Sequence, residues 1–255
     1  VEVFDFGRTA RGTYYYVMEL LDGLSLDDLV QKHGPQPPER VVPMLRQACH
    51  SLRDAHASHL VHRDIKPGNI MMTQQGGAHD VTKVLDFGLV KNVDANADVT
   101  KTWSEAIKGT PAFMSPEQIL EPSDIDARSD LYSLGAVGHY LLCGRLMFEG
   151  TNPAQIFAQH LTMTPERPSE IANREVDKEL EQIIMACLEK KRDDRPASGV
   201  EISDQLQALA IQRWSQEDAA QWWERVGAAL IARRDEKLQV GSLQTIQAEP
   251  GFTAP

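Results

Sequence analysis

The chain has 255 residues and a mass of 28.4 kDa, with 42% hydrophobic and 25% charged residues. Those proportions suit one large globular domain or two small ones, and they exclude a disordered tail, a collagen-like fibre and a disulfide scaffold. A formal net charge of -11 makes general nucleic-acid binding a poor fit, because that function needs a basic face to displace counterions from phosphates.

Val1 to Gly7 and Thr13 to Leu21 are rich in Val, Phe and Tyr and read as two strands, joined as a hairpin by the polar stretch Arg8 to Gly12. Ser25 opens a helix with Asp28 as a weak capping partner, and Gly34 ends it. Gln36-Pro37-Pro38-Glu39 starts a second helix, with Val41, Val42, Leu45, Ala48, Leu52 and Ala55 on one face. Pro43 sits early inside it, where a proline can bend a helix. Between 60 and 90, Leu60-Val61, Ile70-Met71-Met72 and Val81 to Leu85 alternate with polar turns and read as short strands flanking loops. Asn92 to Lys108 is polar and irregular, a length at which a loop is functional or disordered.

After Asp126 the pattern turns helical. Leu131, Leu134, Val137, Leu141 and Leu142 lie on a helix that is apolar on most sides, which predicts a central, buried element ended by Gly144. Gly135 and Gly138 inside it each cost about 1 kcal/mol relative to Ala, so something must approach that backbone closely. Asp177 to Lys190 carries Leu180, Ile183, Ile184, Cys187 and Leu188 on one stripe. Ser215 with Asp218 caps a further amphipathic helix bearing Ala219, Trp222, Trp223, Val226 and Leu230, and its tryptophan pair is expected to pack on the body of the protein. Periodicity fades from Glu236 to Pro255, which predicts a loose tail. Cys49, Cys143 and Cys187 are scattered and odd in number, as in a reducing compartment. Cys49, His50, His56, His59 and His62 crowd together, but their spacing matches no zinc finger. The fold class is α+β, with the loops between 60 and 117 as the working surface.

Those loops carry an ordered set of motifs. His62-Arg63-Asp64 and Asn69 have the spacing H-R-D-x-x-x-x-N, and Asp86-Phe87-Gly88 follows. Gly109-Thr110-Pro111 then leads into Ser115-Pro116-Glu117. The set resembles the protein-kinase catalytic core, and its wording is similar to that of the eukaryotic-like Ser/Thr kinases of bacteria. The resemblance runs from residue 1 to roughly 210 and implies a protein-kinase-like fold. In that fold, residues 1–21 are a remnant of the nucleotide lobe (last two strands and hinge) and 22–212 the helical lobe. Residues 213–235 are an extra amphipathic helix, and 236–255 a flexible tail.

The resemblance also implies roles. Phosphoryl transfer has a loose transition state, so the protein mainly positions groups and balances charge. Asp64 matches the carboxylate that takes the acceptor hydroxyl's proton. Lys66 matches the positive charge beside the transferring phosphate, and its position is that of a Ser/Thr kinase. Asn69 and Asp86 match the Mg²⁺ ligands, and Thr110 the threonine that bonds the catalytic loop. Met18 corresponds to the gatekeeper, Glu19 and Leu21 to the adenine-binding hinge, and Met71 to the residue under the adenine ring. For Met18 and Met71 plain core filling remains an equal reading. Arg63 suggests a loop ordered by phosphorylation, with Thr100, Thr102 and Ser104 as nearby acceptors, each taken separately reading more readily as an ordinary loop hydroxyl. His62 and Phe87 match members of a hydrophobic spine, Asp130 a brace for the catalytic loop, and Arg195 the ion-pair partner of Glu117.

The implied activity is transfer of the ATP γ-phosphate to protein Ser or Thr hydroxyls, with ATP and Mg²⁺ as cofactors and protein substrates as partners. A kinase–kinase dimer is the implied route to activation. The family's G-x-G-x-x-G loop and strand lysine are not found. Gly7-x-x-x-x-Gly12 lacks the lysine a P-loop needs, and Lys83 lies on the wrong strand. With Val1 first and no initiator Met, the chain reads as a fragment of a normal kinase, with a natural truncation as the competing explanation, and as inactive or weak in this form. A non-catalytic kinase-like binding module remains the alternative, and a small-molecule phosphotransferase is disfavoured by the Gly109 to Glu117 segment. No run of roughly 18 apolar residues is visible. The expected location is the cytoplasm, either free or as the cytoplasmic part of a longer, membrane-anchored protein.

Overall fold

The computed structural model of the chain describes residues 1, 3–9, 14–85, 111–227 and 229–230. β1 (Val3–Arg8) pairs antiparallel with β2 (Tyr14–Met18), from Arg8 opposite Tyr14 to Val3 opposite Met18. This is the expected hairpin; its closing residues 10–13 lie outside the described set. A second antiparallel sheet has the order β3-β4-β5, with β3 at Gly23–Ser25, β4 at Ile70–Gln75 and β5 at Ala78–Val84. Gly76 and Gly77 join β4 to β5 with φ of 58° and 80°, the left-handed pair that a two-residue hairpin turn needs. Leu60-Val61 is not a strand. His59 takes φ 58° and the Leu60 N–H returns to Ala55 O, so the segment closes the preceding helix and leaves Leu60 exposed.

Helix α1 (Leu26–His33) starts where expected: Ser25 Oγ accepts from the Asp28 N–H at 3.0 Å, and Gly34 ends it at φ 74°. Helix α2 (Pro38–Ala57) runs on past Pro43, whose missing N–H falls in the second turn, and buries Val41, Leu45, Ala48 and Leu52 with Met44 and Cys49. Next come α3 (Pro116–Leu120) and α4 (Ala127–Cys143). Every residue of α4 from Ser129 to Leu142 is buried, as its all-round apolar pattern predicts. Its glycines are the contact points. An ideal Cβ at Gly135 would stand 2.6 Å from Cys187 Cβ, and one at Gly138 3.1 Å from Leu45 Cδ1.

The remaining helices are α5 (Pro153–Thr162), α6 (Pro168–Ile171), α7 (Lys178–Cys187), α8 (Gly199–Ala208) and α9 over 216–227. The stripe from Asp177 was expected to stay helical to Lys190. It stops at Cys187, where the chain tightens and the Leu188 N–H donates to Met185 O at 3.0 Å; the carbonyls of Glu189 and Lys190 beyond it accept from Arg195 at 2.7 and 3.1 Å. Helices α5 and α8 have side-chain caps at Asn152 and Ser198 but short apolar stripes, and periodicity alone did not mark them. The core joins α2, α4, α7 and α8 with β4 and the Trp223 face of α9. Among the described residues, no helix is long and apolar enough to cross a membrane.

The core also contains a titrating group. His160 on α5 is fully buried, its Nδ1 2.8 Å from the Tyr132 hydroxyl and its ring edge-on to Phe148. Burial, with the nearby Lys190 charge, lowers its pKa to about 4. The folded protein therefore keeps the ring neutral between pH 6.5 and about 4, whereas the unfolded chain takes up a proton. Stability should fall as pH drops through this window. Between pH 7 and 5, His160 should account for a loss of about 2 kcal/mol. Urea midpoints at the two pH values should show a smaller fall for His160→Gln than for the parent; an equal fall would contradict the assignment.

Candidate active site

The loop between α2 and β4 is hung from one carboxylate. Asp130, in the first turn of α4 and 1% exposed, accepts from three donors: the His62 N–H at 2.8 Å, the Arg63 N–H at 2.9 Å and His56 Nε2 at 2.8 Å. Arg63 sits at φ 66°, a left-handed backbone that an arginine adopts only when its surroundings impose it. Gln118 Nε2 donates to the Arg63 carbonyl at 2.8 Å from the other side. Gln118 is itself held by a capping box in which Ser115 Oγ accepts from the Gln118 N–H and Gln118 Oε1 from the Ser115 N–H. Gln118 is not among the site residues singled out from sequence, though the S-x-x-Q pattern that marks it is visible there.

This suspension places Asp64, Lys66 and Asn69 together. Lys66 Nζ and Asn69 Nδ2 each donate to Asp64 Oδ2 at 2.9 Å, and Asn69 Nδ2 also reaches the Asp64 carbonyl at 2.9 Å. Among the described residues no donor meets Asp64 Oδ1. The Asp64 side chain is 35% exposed and borders a small cleft with Lys66, Met114 and Gln118. With Nδ2 committed to Asp64, the Asn69 amide presents its hard oxygen on the opposite side, which suits a cation such as Mg²⁺.

The strand end that precedes Asp86 is tied to the same loop. The Leu85 N–H donates to Asn69 O at 2.8 Å, and His62 Nε2 lies 2.6 Å from Leu85 O. Asp86, Phe87, Thr100, Thr102, Ser104 and Thr110 lie outside the described residues. Met18 closes β2, half-buried, Leu21 lies half-buried before β3, and Met71 pairs with Lys83 across the sheet. The Glu19 side chain receives Lys83 Nζ at 2.8 and 2.9 Å, a link from the β2–β3 connection to the strand leading to Asp86 that the sequence reading missed. Its signal, a lysine and a glutamate 64 positions apart, is invisible without the sheet.

Behind the loop, Arg195 and Glu117 form a two-pronged pair at 2.7 and 2.8 Å. Burial alone would raise the Glu117 pKa, but hydrogen bonds from Arg195 and Ser129 outweigh it and hold the carboxyl below its usual range. The crowded histidines point to separate partners: His50 to Ser203, His56 to Asp130 and His62 to Leu85.

Residues 1–209 match the protein kinase domain family. The Myxococcus xanthus serine/threonine-protein kinase pkn3 is 35% identical over 84% of this chain and 39% of its own length. The Mycobacterium leprae serine/threonine-protein kinase PknB is 35% identical over 81% of this chain and 32% of its own length. The chain thus spans a third or so of these relatives. Among solved structures, Rad53 1-466 in complex with AMP-PNP superposes with a TM-score of 0.65 at 24% identity, over 81% of this chain and 50% of that one. The Mycobacterium tuberculosis PknI kinase domain gives 0.61 at 21%, over 81% of this chain and 70% of that one.

Proposed function

Because the chain belongs to the protein kinase domain family, we propose that it carries the phosphate-transfer loop of a bacterial-type Ser/Thr protein kinase, acting on hydroxyls of protein substrates. The carrying observation is the Asp64 carboxylate, with one oxygen anchored by Lys66 and Asn69 and the side chain 35% exposed beside the cleft. In this reading the Asp64 carboxylate accepts the hydroxyl proton as the substrate oxygen attacks the terminal phosphoryl group of ATP. The ammonium of Lys66 offsets charge on the transferring group, and its bond to Oδ2 keeps the Asp64 side chain from rotating away. Asn69 would hold Mg²⁺ together with Asp86, and the ion would supply positive charge to offset that of the phosphates. The β2–β3 connection at Glu19 to Leu21, with Met18 and Met71, would take the adenine ring. Thr110 would steady the Asp64 loop. A phosphate on Thr100, Thr102 or Ser104 would be read by Arg63. A second copy of the chain could deliver that phosphate, and the cytoplasm supplies both ATP and reduced cysteines.

The 255 residues hold neither a G-x-G-x-x-G loop nor a Val-Ala-x-Lys strand, so transfer by this chain is expected to be slow. The test is incubation with γ-labelled ATP, Mg²⁺ and a generic protein acceptor, followed by phosphoamino-acid analysis. Weak label on serine and threonine, lost in Asp64→Asn, is expected. Label on tyrosine, or none above the Asp64→Asn background, would overturn the reading and favour a non-catalytic binding module. A rate within the kinase range of about 1–100 s⁻¹ would contradict the expected slowness.

A further inference from the structure

The family match ends at residue 209, yet the chain that follows is anchored more firmly than a linker. Its anchor is Asp80 on β5, which is 5% exposed and held at φ 55°. One Asp80 oxygen accepts from Arg40 Nη2 at 2.9 Å and Trp223 Nε1 at 2.7 Å; the other accepts from Arg40 Nε at 2.8 Å and Trp214 Nε1 at 2.9 Å. Four donors thus fill the carboxylate, and two of them come from beyond residue 209. The Arg40 guanidinium is also covered by those residues, with the Trp222 ring centre at 4.0 Å and the Trp214 ring centre at 4.9 Å.

The same segment covers a sheet edge. β5 is the outer strand of its sheet, so one side of its backbone needs partners from elsewhere. Gln216 supplies them at His79: its Oε1 accepts from the His79 N–H at 2.8 Å and its Nε2 donates to His79 O at 3.2 Å. Gln47 of α2 does the same further along, donating to Asp80 O at 3.1 Å and accepting from the Thr82 N–H at 2.9 Å. Two side-chain amides stand where a neighbouring strand would run.

Both ends of the braced hairpin are functional ends in the reading above. β4 begins at Ile70, directly after Asn69, and Leu85, directly after β5, is bonded to Asn69 and His62. Arg40 grips both strands, because its Nη2 also lies 3.5 Å from Met72 Sδ on β4.

We propose that residues 210–230 are an integral brace of the β4–β5 hairpin, in which Trp214 and Trp223 act through Asp80 as positioning residues for Asn69 and Leu85. The proposal rests on the kinase reading only for its effect on transfer; the brace itself is independent of it. The test uses the full 255-residue chain with Trp214→Phe, Trp223→Phe and the double variant, which keep an aromatic ring and remove the N–H. Hydrogen exchange at the amides of 69–72 and 81–85 should quicken by about tenfold for each charge-assisted bond lost. The amides of α4 should be unchanged. In the transfer assay kcat should fall and KM for ATP should rise with it, because Met71 of the proposed adenine site lies on the braced strand β4. Unchanged exchange at 81–85 in the double variant would overturn the brace, as would a quickening spread evenly through α4. A parent chain that transfers no phosphate would overturn the kinase reading instead, and the exchange pattern would still decide the brace.

Discussion

Asp64→Asn is expected to lower phosphate transfer by about 10²–10⁴-fold, the contribution of a positioned general base, and to leave ATP affinity unchanged. Asparagine keeps the size of the side chain and can still accept from Lys66 and Asn69, whose donors stand 2.9 Å from Asp64 Oδ2. It cannot take a proton. The pair it breaks is partly exposed, at 24% and 35% for the two side chains, so its loss should cost no more than about 1 kcal/mol of stability. An unchanged melting temperature with lost transfer is the expected combination. Retained autophosphorylation would remove Asp64 from the role of base. A fall in both melting temperature and ATP affinity would mean that the carboxylate serves the loop's shape instead.

Arg195→Ala should destabilise the protein by about 3–5 kcal/mol, because it leaves a buried carboxylate without its partner. The Arg195 side chain is fully buried and Glu117 is 11% exposed. The loss reaches beyond the ion pair. Arg195 also donates to the carbonyls of Arg128, Glu189 and Lys190, and its guanidinium lies 4.9 Å from the Tyr132 ring centre. Arg195→Lys should recover only part of this, since an ammonium cannot bond both Glu117 oxygens in a fork. Urea unfolding at constant slope is the measurement, and a loss under about 1 kcal/mol would refute the assignment. The pH dependence has a definite sign. The Glu117 pKa is lowered in the fold, so its stabilisation is present above the unfolded value of 4.5 and is lost as pH falls through the folded value. The gap between parent and Arg195→Ala should therefore narrow in acid.

The two substitutions separate what the loop does from what holds it. Asp64 sits at the cleft and Arg195 behind it, and they are linked through α3, where Glu117 takes Arg195 and Gln118 reaches Arg63. A change in chemistry should therefore leave stability alone, whereas a large change in stability should reach the loop through Gln118 and through the first turn of α4, where Arg195 bonds Arg128 O and Asp130 holds the loop.

Elements governed by neighbours in sequence were legible without coordinates. Ser25 with Asp28, Ser215 with Asp218, the all-round apolar run of α4 and the H-R-D-x-x-x-x-N spacing each depend on residues a few positions apart, and periodicity and capping report on that range. The close neighbour demanded by Gly135 and Gly138 was legible as a need, but its identity as Cys187, Ile184 and Leu45 was not. Leu60-Val61 was misread because two apolar residues look alike in a strand and in a turn; the left-handed His59 decided between them. The apolar stripe runs past the end of α7 to Leu188, and only the coordinates show the Leu188 N–H turning to Met185 O and the next two carbonyls, of Glu189 and Lys190, taken by Arg195.

The sequence by itself determined the starts of α1, α2, α4, α7 and α9 and the α+β class through local spacing, and the resemblance to the protein-kinase core pointed to Lys66 and Asn69 beside Asp64. Tertiary structure alone decided that Lys83 pairs with Glu19 and that Asp80 joins Arg40 to Trp214 and Trp223 across 134 and 143 positions. The physical reason is one of range. A cap or an apolar stripe completes within a turn or two of helix, whereas a buried charge needs donors, and the chain can supply them from any distance once the backbone has been brought together.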